Sequence, residues 1–302
     1  MKLPTIAKLK ARATGQPLGL VLGAVCLLPA TAGYTDEGPQ ALVGIPQVEA
    51  CSQRYTAMET PRPRQAADAG SADGHAAVRQ NFHTTRHWGT DKNVERLGSG
   101  QTGIDEPGLR VHYPAGTSSP GEEPRGGAGF YSEPPSLQGA DRACLSYMVR
   151  FPSDFDFVQG GKLPGLYGGE APSGGEAVDG LSGFSLRLMW REEGEGELYP
   201  YVVGFEGASV GRGFWRFPLG QWVTIEQEVV LNDPGQENGV ARLWVDGRPV
   251  LEHQSVNFRN TPDLTIDGLM FSTFFGGTGE GWRTPRDQYV DFAAFRFYVP
   301  ES

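Results

Sequence analysis

Lysine is scarce in this chain, with five residues against 21 arginines. Three of the five, Lys2, Lys8 and Lys10, fall in the first ten positions, so everything downstream holds only Lys92 and Lys162. Basic charge as a whole is also short: 26 Lys and Arg face 36 Asp and Glu, a net charge of −10, which excludes a general nucleic-acid binder. No apolar run approaches the roughly 20 residues needed to span a bilayer, so no membrane partner is expected. No nucleotide-binding glycine loop opens a helical pattern, and no repeat of fixed period is visible. Cysteine is limited to three residues, Cys26, Cys51 and Cys144.

The basic start, the apolar stretch from Leu18 to Leu28 and the small-residue site Ala30-Thr31-Ala32 read as a secretory signal peptide over residues 1–32. A lipid anchor on Cys26 is the alternative, but Gly23-Ala24-Val25 is a poor lipidation signal. Cleavage after Ala32 would leave 22 basic against 36 acidic side chains, a net charge of −14. Such a shell keeps an exported protein soluble; any polyanion it binds must find a local cationic groove. Export would place Cys51 and Cys144 where a disulfide persists, the other possibility being two unpaired thiols.

The 43 glycines and 23 prolines favour many strands joined by turns over long helices. Residues 33–80 lack apolar periodicity and read as an irregular N-terminal segment, with the folded domain over 81–302. Alternation is clearest at Leu145, Tyr147, Val149 and Phe151, which face one side while Cys144, Ser146, Met148 and Arg150 face the other. Further strands are predicted at 184–191, 198–203, 222–231, 240–245, 269–275 and 292–299. Asp246-Gly247 marks a tight hairpin in which glycine supplies a positive φ. These features predict an all-β protein, a sandwich of two antiparallel sheets.

Two segments carry candidate chemistry. In Gly160-Gly161-Lys162-Leu163-Pro164-Gly165-Leu166-Tyr167-Gly168-Gly169 the glycines suggest a loop around Lys162. Lysine can give up its proton near neutral pH where arginine cannot, although a surface charge on a turn would look the same. The second segment, Phe184 to Tyr201, reads as a hairpin with an acidic turn at Glu192 to Glu197. Period-two geometry puts Ser185 and Arg187 on one face of the first strand and Tyr199 and Tyr201 on one face of the second. A turn centred on Gly194 would set Arg187 opposite Tyr201 and Met189 opposite Tyr199; a one-residue slip would break the shared surface. Ordinary aromatic packing and a solvated strand charge are the plainer alternatives.

The motifs at 160–169 and 184–191, with Gly211-Arg212-Gly213, Leu231-Asn232-Asp233 and Phe271-Ser272-Thr273-Phe274-Phe275-Gly276-Gly277, resemble the family-14 polysaccharide lyases, which include alginate and glucuronan lyases. The resemblance runs from about Leu109 to Val299. It implies a β-jelly roll with an anionic polysaccharide lying across a concave sheet. It further implies Lys162 as catalytic lysine, Ser185 and Arg187 as active-site serine and arginine, and Tyr199 and Tyr201 as paired tyrosines. Pro200, the acidic turn and residues 33–80 do not match the family pattern. The chemistry is coherent: β-elimination removes the C5 proton of a uronate, and a forked arginine contact can neutralise charge developing on the carboxylate. Lys162 or a deprotonated tyrosine would take the proton, and a tyrosine would protonate the leaving oxygen.

Two rival readings exist. A glycoside hydrolase would need paired carboxylates, for which Glu193, Glu195 and Glu197 are available, although their glycine-spaced position suggests a solvated loop. A non-catalytic carbohydrate-binding protein would use the same fold but would not require Lys162. His83 and His87 have no obvious third ligand, so no metal site and no cofactor is expected, apart from a structural calcium that sequence would not reveal. A monomer, secreted or periplasmic, is expected.

Overall fold

Strict alternation decides which residues of each strand enter the core. In the strand from Arg142 to Arg150, Leu145, Tyr147 and Val149 are buried in the main hydrophobic core. In Gly183–Arg191, Phe184, Leu186, Leu188 and Trp190 point the same way, which sends Ser185, Arg187 and Met189 to the opposite face. The computed structural model describes residues 41–64 and 73–300. The expected signal peptide lies outside the described residues.

Fifteen strands are present among the described residues: β1 (Leu42–Gly44), β2 (Thr84–Trp88), β3 (Val94–Leu97), β4 (Gly108–Tyr113), β5 (Ala128–Ser132), β6 (Arg142–Arg150), β7 (Gly160–Gly169), β8 (Gly183–Arg191), β9 (Gly196–Val202), β10 (Phe205–Glu206), β11 (Trp222–Val230), β12 (Gly239–Val245), β13 (Arg248–Val256), β14 (Gly268–Phe275) and β15 (Gln288–Tyr298). They form an eight-stranded sheet ordered β1-β13-β12-β11-β6-β15-β4-β3 and a seven-stranded sheet ordered β10-β9-β8-β7-β14-β5-β2. Every pairing between these strands is antiparallel, giving the expected β-jelly-roll sandwich. Aromatic side chains fill the space between the sheets: Phe130 stacks on Phe271 at 4.5 Å and Tyr147 on Phe295 at 6.0 Å. The β12–β13 hairpin turns through Asp246 and Gly247, both at positive φ, as its sequence required.

The glycine-rich segment 160–169 is not a loop but β7, a central strand between β8 and β14. Its glycines answer to packing. A Cβ at Gly161 would run into the Trp190 ring, one at Gly165 into the Leu186 carbonyl, and one at Gly168 into the Thr265 carbonyl. Glycine here lets neighbouring backbone and an indole approach closely, a role that sequence cannot distinguish from turn formation. Pro164 and Gly165 form an irregularity in the β7–β8 pairing between Leu163 and Leu166. The backbone groups it would strand are met from the other sheet, where buried Gln227 of β11 accepts from Leu166 N at 2.7 Å and donates to Leu186 O at 2.8 Å.

Residues 41–59 lie against the outer face of the eight-stranded sheet. β1 joins its edge beside β13, Cys51 is disulfide-bonded to Cys144 of β6, and Ser52 donates to Glu226 through both its N–H and its hydroxyl. Beneath them Glu228, fully buried, takes Arg54, Arg142 and Arg242 at 3.1, 2.6 and 3.0 Å. Burial alone would push its carboxyl up, but the three guanidinium groups outweigh that and hold it below the usual range. No helix among the described residues is long and apolar enough to cross a membrane.

Candidate active site

The outer face of the seven-stranded sheet carries a groove of about 600 Å³. Lys162 reaches it from β7, Arg187 from β8, and Tyr199 and Tyr201 from β9. The β8–β9 hairpin sets Arg187 opposite Tyr199, Ser185 opposite Tyr201 and Met189 opposite Glu197. This differs by two residues from the pairing expected for a turn centred on Gly194. The left-handed turn residues are Glu193 and Gly194, at φ 56° and 75°, which moves the turn centre back by one position. Because the slip is two residues and not one, every side chain keeps its face, and the shared surface survives.

Lys162 is 7% exposed, and Arg187 is 3% exposed. The Lys162 amine lies 3.4 Å from the centre of the Tyr199 ring and donates to Met189 Sδ at 2.7 Å. Lys162 and Arg187 have no carboxylate partner among the described residues, and Arg187 Nε is buried without any hydrogen bond. Burial, then the neighbouring charges of Arg187 and Arg191, holds the lysine well below the ordinary amine range. Burial also lowers Arg187 from its usual value. Tyr199 is pushed up, first by burial and then by neighbouring Tyr201, whose ring centre lies 5.8 Å away in an edge-on contact. Tyr201 accepts the Gly175 N–H at 2.8 Å. Gly207, at φ 76°, backs both phenols, and a Cβ there would sit 2.9 Å from each hydroxyl.

Ser185 occupies the same face but does not open into the groove. Its hydroxyl, fully buried, donates to the Pro172 carbonyl at 2.7 Å and so anchors the segment whose Ser173, Gly174 and Gly175 form one wall. Three acids of the hairpin are engaged by arginines, Glu193 by Arg216, Glu195 by Arg212 and Arg216, and Glu197 by Arg191 at 2.6 Å, while Glu192 is exposed in the turn. Glu197, expected in a solvated turn, is instead fully buried in β9 and also accepts from Ser209. The hairpin therefore offers no free pair of carboxylates facing the groove.

Sequence reasoning missed much of the floor and walls. Met270, Ser272 and Phe274 face the groove from β14, Tyr131 from β5 and Trp88 from β2. The β14 set was readable from alternation against buried Leu269, Phe271 and Phe275. Trp88 and Tyr131 were not, because β2 and β5 are short and reach the site only through sheet order; Trp88 lies over Gly129, its register partner. Of the histidines, His83 meets Glu59 at 2.8 Å, while His75 and His87 make an edge-on ring contact at 4.9 Å and share the Thr90 hydroxyl.

A two-sheet jelly roll with a buried guanidinium that meets no carboxylate among the described residues, a buried amine and two phenols on one sheet makes this groove the candidate active site. The family profile for polysaccharide lyase 14 matches residues 101–295, and the chain belongs to that family. That span holds all five residues singled out above. It is a lyase that cleaves an anionic polysaccharide by β-elimination. The chain is similar to a marine family-14 alginate lyase from Aplysia kurodai at 31% identity, with 81% of this chain and 100% of that one covered and a TM-score of 0.69. It shares its fold with an alginate lyase from Chlorella virus at 24% identity, covering 64% and 85% of the two chains with a TM-score of 0.55. An endo-β-1,4-glucuronan lyase from Trichoderma reesei shares the fold at 12% identity, 81% and 96% coverage and a TM-score of 0.51. Among curated protein sequences none matches.

Proposed function

We propose that the substrate is an alginate-type polyuronate and that Arg187, Lys162 and Tyr199 divide the elimination between them. The observation that carries this reading is the buried Arg187 guanidinium, which has an unsatisfied Nε and no protein carboxylate. A buried cation without a partner is costly, and the carboxylate of the uronate being cleaved would supply one in forked geometry. Pairing there withdraws electron density from C5 and neutralises the enolate-like charge that builds as its proton leaves.

Lys162 takes the C5 proton. Its lowered pKa leaves more of the amine neutral at a given pH than in an ordinary lysine. The electron pair of the C5–H bond becomes the C4–C5 double bond as the C4–O bond breaks. Tyr199 protonates the departing oxygen, and its raised pKa keeps that proton in place until transfer. Tyr201, fixed by the Gly175 N–H, orients Tyr199 through the edge-on contact of their rings. Ser185 acts by holding the 172–175 wall. Export through the N-terminal signal belongs to this reading and fits a protein with a disulfide.

The test is to offer the purified protein a panel of polyuronates and follow ultraviolet absorbance of the unsaturated ends. Alginate should give product, and Lys162→Ala should lower kcat by roughly 100- to 10,000-fold with the fold retained. The base must be neutral to act, so kcat/KM should rise with pH on a limb well below the ordinary lysine value of 10.5. Near-normal turnover by Lys162→Ala would remove the lysine from this role.

A further inference from the structure

The active groove does not end at Tyr199 and Arg187. Register draws a continuous row across the seven-stranded sheet: Arg187 of β8 packs beside Gly165 of β7, Gly165 pairs with Met270 of β14, Met270 with Tyr131 of β5, and Tyr131 with Arg86 of β2. Gly165 has no side chain, so the row is lowest next to Arg187 and rises again at Tyr131. The Arg86 guanidinium lies over the Tyr131 ring, 3.8 Å from its centre. Tyr131 lines the groove, while Arg86 lines an adjoining cavity of about 690 Å³ under the segment 170–183. From β8 to β2 is four strand intervals, about 19 Å over the sheet.

Arg86 shares one property with Arg187. Neither meets a carboxylate among the described residues, whereas Arg110 and Arg150 share Asp291, and Arg191 holds Glu197. Acids do border the same cavity, at Glu170, Glu176 and Asp179. Two of them are turned into their own loop: Glu176 accepts Ser173 N, and Asp179 accepts Leu181 N and Ser182 N. They form a negative wall on the loop side, opposite the cation on the sheet side. A stacked guanidinium is held flat and pre-oriented, and its free edge is suited to a forked contact with a planar anion.

We infer that Arg86, seated on Tyr131, is a carboxylate-binding subsite for a uronate residue several units from the bond being cleaved, with the acidic 170–179 wall confining the polyanion to the sheet. This rests on the lyase reading above, with Arg187 at the cleavage point. Arg86 is a positioning residue and touches none of the reacting atoms.

The experiment compares wild type, Arg86→Ala and Arg86→Lys on a size ladder of alginate oligosaccharides and on polymer, with kcat and KM read separately. For chains long enough to span from Arg187 to Arg86, Arg86→Ala should raise KM roughly 10-fold. Its kcat and kcat pH profile should not move, and KM for the shortest cleaved oligomer should be unchanged. Arg86→Lys should fall between the two, keeping charge but losing the planar stack. Equal loss on short and long chains, or no change on long ones, would overturn the subsite. If wild type eliminates none of the polyuronates, the lyase reading itself fails, and that result is distinct from a wild type that turns over with an Arg86 variant indistinguishable from it.

Discussion

At the residue scale the site depends on cations that the protein itself declines to neutralise. Most arginines here meet carboxylates, as Arg54, Arg142 and Arg242 do around Glu228. Arg187 is buried to 3% exposure without one. Its planar fork matters beyond its charge, because an ammonium on the shorter lysine stem provides neither two parallel donors nor the same reach. Arg187→Lys is therefore expected to lower kcat/KM by at least about 100-fold, the scale of losing one preorganised charge-stabilising contact. Steady-state kinetics on alginate would check this, and unchanged constants would exclude Arg187 from the carboxylate role. That Arg187, Tyr199 and Tyr201 share one surface was legible from sequence because period-two spacing alone assigns faces, whereas their choice with Lys162 as site residues came from the family resemblance. The quieter role of Ser185 was not legible, since it depends on the Pro172 carbonyl, a backbone group that only the folded loop brings to 2.7 Å.

At the scale of elements the weak point is β7. It supplies Lys162, yet it contains Pro164, which lacks an N–H, and an irregular register against β8. Gln227 compensates across the sandwich by binding Leu166 N and Leu186 O. Replacing it by an isosteric apolar residue leaves a buried donor and a buried acceptor unsatisfied. Gln227→Leu should cost about 2–4 kcal/mol of stability. Denaturant unfolding would measure the loss, and a variant as stable as wild type would show that the irregularity is satisfied some other way. The same element explains a misreading. Glycines at 160, 161, 165, 168 and 169 carry the composition of a loop, but they are called for by the Trp190 ring and by carbonyls of neighbouring chain segments, none of which is local in sequence. The hairpin shows the reverse case: its pairing is displaced by two residues, and the functional faces persist because side chains repeat every two.

At the scale of the whole molecule the two sheets have separate tasks. The seven-stranded sheet holds the groove, and the eight-stranded one is covered by residues 41–59 through the Cys51–Cys144 bond and the Glu228 cluster. The bond closes a span of 93 residues, so opening it should cost about 4.6 kcal/mol by chain entropy. Reduction is expected to lower Tm by roughly 10 °C. It should leave kcat of the folded enzyme unchanged at 25 °C, because no groove residue belongs to that face. Calorimetry with and without reductant tests the first statement, and an unmoved Tm would contradict it.

The sequence by itself determined the all-β class, most of the long strands and the faces of their side chains, because alternation is a property of one strand alone. It also held the chemistry of an amine, a guanidinium and two phenols, because those are residue identities. Only the tertiary structure decided that β7 is a strand, that the Ser185 hydroxyl meets the Pro172 carbonyl, that residues 41–59 are fastened to a sheet, and that Tyr131 lines the groove with Arg86 stacked on it. Each of these is a relation between segments far apart in the chain. Strand order and close packing create such relations, and no local pattern encodes them.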